Sequence, residues 1–191
     1  RIEDRVLQYL LGLHTLDEGL RHLLRTLPDA PRLLPSQRAV LQTIEKLLTD
    51  SAAGNGREVL WLCGPDAAAR RAVAAHIGDS LGLPMFVLDA ADVPSRPRER
   101  EELLSLWTRE QLLEPAGLLI SLDEKDGPEV QRAMAAFLDR VPGLVVVSSR
   151  ELVSMGDRSA LRLSVPRPTL DEQVELFQSV LADANTSDDP S

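Results

Sequence analysis

Lysine is almost absent from this chain: only Lys46 and Lys125 occur, and the other basic residues are all arginine. That bias suggests a GC-rich bacterial source. Aromatic residues make up 3%, so the core has to be built from Leu, Val, Ala and Ile. A single cysteine, Cys63, excludes an internal disulfide and suits a reducing compartment. No apolar run is long enough to span a bilayer and the N-terminus does not read as a signal peptide, so a cytoplasmic protein without a membrane partner is expected. A basic surface is also missing. The net charge of −9 argues against a general nucleic-acid binder, because phosphate neutralisation needs cations. The chain opens at Arg1 rather than Met, as expected for a piece of something longer.

What is present is ordered by one stretch. Glu58-Val-Leu-Trp-Leu-Cys-Gly-Pro-Asp-Ala-Ala-Ala-Arg-Arg71 starts as an apolar strand, turns at Gly64-Pro65 and enters an Ala-rich helix. That is the layout of a phosphate-binding P-loop, whose motif is G-x-x-x-x-G-K-[ST]. Counted from Gly64, the second glycine is replaced by Ala69, the lysine by Arg70 and the hydroxyl residue by Arg71. Ala69 carries a Cβ where backbone must approach the anion. Arg70 keeps a charge, on a bulkier planar fork. Arg71 offers no oxygen to Mg²⁺. Asp66 adds negative charge inside the loop. These positions form a degenerate nucleotide site in which Arg70 and Arg71 are expected to make salt bridges rather than hold phosphate.

From Glu58 onward strands and helices alternate. Expected strands are Val59–Cys63, Met85–Leu88, Gly117–Leu122, Leu144–Ser148 and Leu161–Val165. Expected helices are Ala68–Leu81, Arg98–Leu113, Pro128–Arg140 and Leu170–Leu181. The fold class is therefore α/β: a P-loop NTPase-like three-layer α/β/α unit on a parallel five-stranded sheet, preceded by an α-helical N-terminal segment. The domains read as a helical extension over 1–56, the α/β domain over 57–182, and a disordered acidic tail over 183–191. Within the extension, residues 2–25 and a helix opened by Ser36 as N-cap carry leucines at helical spacing.

Gly117-Leu-Leu-Ile-Ser-Leu-Asp123-Glu124 is the second signal. An apolar strand ending in Asp-Glu is what magnesium-dependent phosphate hydrolysis uses, the Asp toward the metal and the Glu toward the attacking water. Asp123 is expected instead to pair with Arg70 or Arg71 and to close the empty site. Ser148 ends a strand where a polar group could meet a γ-phosphate, and Arg158 is a candidate finger reaching a neighbouring subunit. Asp123-Glu-Lys-Asp-Gly puts lysine at a ligand position of a calcium loop, and His14, His22 and His76 lack metal-like company. No metal site is expected.

The order of P-loop frame, apolar-Asp-Glu strand, polar strand end and Leu161-Arg-Leu-Ser-Val-Pro166 before a last helix resembles the AAA+ ATPases, from Glu58 to about Leu181. The resemblance implies an inactive AAA+-like module with a structural or regulatory role, partnered by a competent AAA domain on the same or another chain, or by another protein. It implies no cofactor, because the Walker A triad is lost at Ala69, Arg70 and Arg71. The loop from Asp89 lacks the aromatic used to grip polypeptide, and the small helical lid is missing. A weakly active, nucleotide-binding AAA+ ATPase using ATP and Mg²⁺, with Arg70 in place of lysine and Asp123 and Glu124 in their usual roles, is the rival. A clamp-loader-like DNA adaptor using Arg96, Arg98 and Arg100 is a further one, opposed by the interleaved Glu99, Glu101 and Glu102.

Overall fold

The computed structural model describes residues 4–12, 16–29, 32–51, 59–153 and 159–174. Its frame is a sheet of six strands: β1 (Leu24–Thr26), β2 (Val59–Cys63), β3 (Met85–Asp89), β4 (Gly117–Ser121), β5 (Leu144–Ser149) and β6 (Ala160–Ser164), ordered β1-β3-β4-β5-β2-β6. Strands β2 to β6 are parallel, with β2 held between β5 and β6. The central strands are Val- and Leu-rich and buried almost without alternation, as a sheet covered on both faces requires.

The helices are α1 (Asp4–Leu10), α2 (Glu18–Arg21), α3 (Pro35–Ser51), α4 (Ala67–Leu81), α5 (Pro97–Leu113) and α6 (Pro128–Leu138). On one face, α3 and α4 pack Ile44, Val73 and Ile77 against Leu60, Leu62, Leu119 and Val146. On the other, α5 and α6 pack Trp107, Met134 and Phe137 against Trp61, Leu118, Ile120 and Val147. With so few aromatics each one counts: Trp107 meets Phe86 edge to face with centroids 6.3 Å apart, and its Nε1–H donates to Pro142 O at 3.1 Å. Gly82, at φ 64°, closes α4 in the left-handed conformation that a C-cap favours.

The expected α/β class stands, but the purely parallel five-stranded sheet does not. The sheet is mixed, because β1 pairs antiparallel with the edge of β3, Leu24 opposite Leu88 and Thr26 opposite Phe86. The sequence reading placed helix across this stretch. Three residues are too few to show a strand period, and their leucine spacing fits helix as well. What selects the strand is the open edge of β3, a tertiary feature. The stretch read as helical, with a break allowed at Gly12 to Thr15, is α1, the single turn α2 and β1, separated in part by residues outside those described. Ser36 is not the N-cap of α3, since α3 already begins at Pro35. The last helix opens at residue 170 and is described to 174. The tail and the rest of that helix lie outside the described residues.

Candidate functional site

The turn after β2 sits where ligands collect in open α/β sheets, at the carboxyl ends of the strands. Gly64 is demanded there by close approach: a Cβ on it would lie 2.1 Å from Val165 O. That contact is held by the Val165 amide donating to Cys63 O at 2.6 Å. Gly64 N–H itself donates to Ser149 O at 3.3 Å.

The turn then stops short of a phosphate cradle. Helix α4 starts at Ala67, so only Pro65 and Asp66 separate it from Gly64. A working P-loop surrounds the anion with free amides at that helix start. Here the amides of Ala68 and Ala69 donate to Asp66 Oδ1 at 2.8 and 3.3 Å. Asp66 is thus an N-cap, and its carboxylate lies where an anion would lie. Pro65 has no N–H to give. Asp66→Ala is expected to cost about 1 kcal/mol, the usual loss for a helix cap, measurable as a shift in the urea midpoint with an unchanged slope.

Arg70 closes the turn from beneath. The residue is buried, 6% exposed. Nη1 donates to Gly64 O and Nε donates to Ser148 Oγ at 2.8 Å. The side chain therefore ties the start of the turn to the end of β5, using the planar fork a lysine lacks. Burial pushes its pKa down from the ordinary value, and the nearby Asp66 carboxylate opposes that shift. Arg71, one residue on, is exposed. Cys63, just before the turn, is half-buried, and burial pushes its thiol pKa up, which leaves it a poor nucleophile.

Asp123 and Glu124 do not reach this turn. The expected ion pair between Asp123 and Arg70 or Arg71 is not formed. Instead Asp123 begins a tight local turn, its Oδ1 accepting from Lys125 N at 3.1 Å and its own amide donating to Asp126 Oδ2 at 2.7 Å. Exposed Glu124 pairs with Arg150, Nη1 to Oε1 at 2.6 Å. Ser148, the candidate γ-phosphate contact, is buried and used by Arg70. The physical reason is reach: Arg70 folds inward onto Gly64 and Ser148, while Asp123 and Glu124 are carried outward past the end of β4. They line a cleft of about 420 Å³ with Leu122, Ser149, Arg150 and Glu151, which the Gly64 turn does not line. The finger candidate Arg158 lies outside the described residues. Among the described residues no cluster of His, Cys, Asp and Glu could hold a metal ion, and no helix is long and apolar enough to cross a membrane.

Two constellations escaped the sequence reading. Arg5 and Glu110 form a buried pair joining α1 to α5, with Nε donating to Oε1 at 2.8 Å and Nη2 to Oε2 at 2.8 Å. Trp61 Nε1–H donates to Ser149 Oγ at 2.7 Å, and that hydroxyl donates on to Glu151 O at 2.6 Å. Neither leaves a local spacing signal, because their partners are 105 and 88 residues apart. The arginines proposed for DNA are already engaged: Arg96 with Glu99, Arg98 with Glu102, and Arg100 with the carbonyls of Pro94 and Ser95.

No family model matches the chain, and no curated protein matches it. Among solved structures, it is similar to a chain of the E. coli MS115-1 HORMA:CdnC:Trip13 complex, at 13% identity over 87% of this chain and 77% of that one, with a TM-score of 0.46. It is also similar to C. elegans PCH-2, at 12% identity over 85% of this chain and 53% of that one, with a TM-score of 0.53. The chain thus spans about half the length of PCH-2. These findings correct the sequence reading. The assignment to the AAA+ ATPases, and with it the inactive or weakly active ATPase module and the clamp-loader variant, is withdrawn: no family match supports it, and likenesses at 12 and 13% identity carry neither membership nor Walker A chemistry to this chain. What the comparison with PCH-2 does establish is the fold: a mixed α/β sheet covered by helices, shared across a 12% identity.

Proposed function

We propose that this chain is a non-catalytic adaptor module that works by binding a protein partner. The observation that carries this reading is the self-filled turn. Asp66 takes the amides an anion would need, and Arg70 takes the carbonyl and hydroxyl around them. In this reading Gly64, Pro65, Asp66, Ala69, Arg70 and Ser148 are structural parts of a closed corner, and Asp123 and Glu124 are surface carboxylates without a metal. Arg71 is a solvated cation beside the corner.

The partner reading draws on the outer surface. Leu10 and Leu11 at the end of α1 and Leu112 on α5 are 68%, 68% and 83% exposed. Adjacent apolar side chains left in water, as Leu10 and Leu11 are, give a partner apolar area to cover.

The test is thermal melting and calorimetric titration with Mg-ATP, Mg-ADP and inorganic phosphate. No shift and no heat are expected at millimolar ligand. Binding would raise stability by about 2.7 kcal/mol at 100 times the dissociation constant. A shift of that size would overturn the reading.

A further inference from the structure

Glu172 stands apart from the other carboxylates. It is 8% exposed, although it lies in the first turn of the helix that opens at residue 170. Its two oxygens serve two helix starts that are 136 residues apart in the chain. Oε1 accepts from Ser36 N at 2.7 Å, and Oε2 accepts from Ser36 Oγ at 3.0 Å. Oε2 also accepts from Thr169 N at 2.8 Å, while Thr169 Oγ1 accepts from Glu172 N at 3.2 Å. The second pair is a reciprocal capping box, and Thr169-Leu-Asp-Glu172 is its sequence signature. The first pair is something more: one carboxylate caps its own helix and also the first turn of α3.

We propose that the Ser36–Glu172 contact is a latch coupling the helix that opens at residue 170 to α3, so that release of either one loosens the other. Three further features favour coupling over a passive contact. The carboxylate is shared, so movement of the helix at 170 withdraws an acceptor from both helix starts at once. The connector back to the Gly64 turn is Val165-Pro-Arg-Pro168, whose two prolines restrict it, and Val165 is the residue seated against Gly64. The outer side of the helix at 170 presents Leu170 and Val174, 79% and 54% exposed, where a protein could take hold. The backbone donors at Thr169 and then Ser36 hold the Glu172 pKa below its ordinary value, so the acceptor stays ionised throughout the neutral range. This inference goes beyond the adaptor reading and does not depend on it.

Hydrogen exchange on the whole protein, followed at single amides, tests the latch. In Glu172→Gln the amides of Ser36 and Thr169 are both expected to exchange about tenfold faster, the effect of weakening one charge-assisted hydrogen bond. Faster exchange at Thr169 with Ser36 unchanged, or the reverse, overturns the coupling. Ser36→Ala deletes only the hydroxyl donor and carries the test if Glu172→Gln fails to fold. It should speed exchange at Thr169, on the far side of the carboxylate, and no change there overturns the proposal. The double variant should exchange no faster than Glu172→Gln alone. Effects that multiply would mean two independent contacts and would equally defeat the latch.

Discussion

Glu110→Ala is expected to lower the stability of this protein by about 3–5 kcal/mol, the cost of stranding one member of a buried ion pair. The side chains of Arg5 and Glu110 are 3% and 4% exposed. The carboxylate receives Nε at 2.8 and 3.1 Å and Nη2 at 2.8 Å. The Glu110 bond is the largest influence holding the Arg5 pKa above its ordinary value, ahead of the opposing effect of burial. Without Glu110, the guanidinium keeps, among the described residues, the looser Glu114 carboxylate at 3.8 Å as an ion-pair partner. Urea unfolding followed by tryptophan fluorescence measures the loss, and Trp107 on α5 is a nearby probe. The loss should change little between 0.05 and 0.5 M salt, because a buried pair is poorly screened. Replacing both partners by apolar residues, Arg5→Met with Glu110→Leu, should recover most of it. A loss below about 1 kcal/mol for Glu110→Ala would put the pair in the class of solvated surface bridges and detach α1 from the body of the fold.

Arg70→Ala ranks second, with an expected loss of roughly 2–6 kcal/mol, since Gly64 O and Ser148 Oγ are both left buried without their donor at about 1–3 kcal/mol each. Arg70→Lys is the sharper experiment. It restores the residue a phosphate loop uses at this position, yet it should destabilise by about 1–3 kcal/mol and gain no affinity for Mg-ATP. An ammonium is a point charge that cannot span Gly64 O and Ser148 Oγ as the planar fork does. The amides of Ala68 and Ala69 also remain with Asp66. Nucleotide binding by Arg70→Lys would mean that the turn is held shut by Arg70 alone.

Much of the frame was legible because its signals are local. Strand β2 matches its expected span, and α4, α5, β4, β5 and β6 fall within a residue or so of theirs. Apolar runs such as Val145–Val147 and the Pro at the start of α5 and α6 act over a few residues. The degenerate turn was also legible as degenerate, since Ala69, Arg70 and Arg71 can be counted off from Gly64. How it is degenerate was not. Salt bridges were expected for the arginines, but Arg70 bonds a carbonyl and a hydroxyl, Asp123 stays in its own local turn, and the Asp66 charge is used to cap α4.

Composition and spacing alone determined a Leu/Val/Ala core, a strand-turn-helix corner unsuited to phosphate, and a parallel run of strands with helices between them. Tertiary structure alone decided that residues 24–26 are a strand, that Arg5 is buried against Glu110, and that Glu172 caps two helices. The reason is the same in each case. A carboxylate, a guanidinium or an open strand edge takes its partner from whatever the fold brings beside it, and those partners lie 60 residues or more away in the chain.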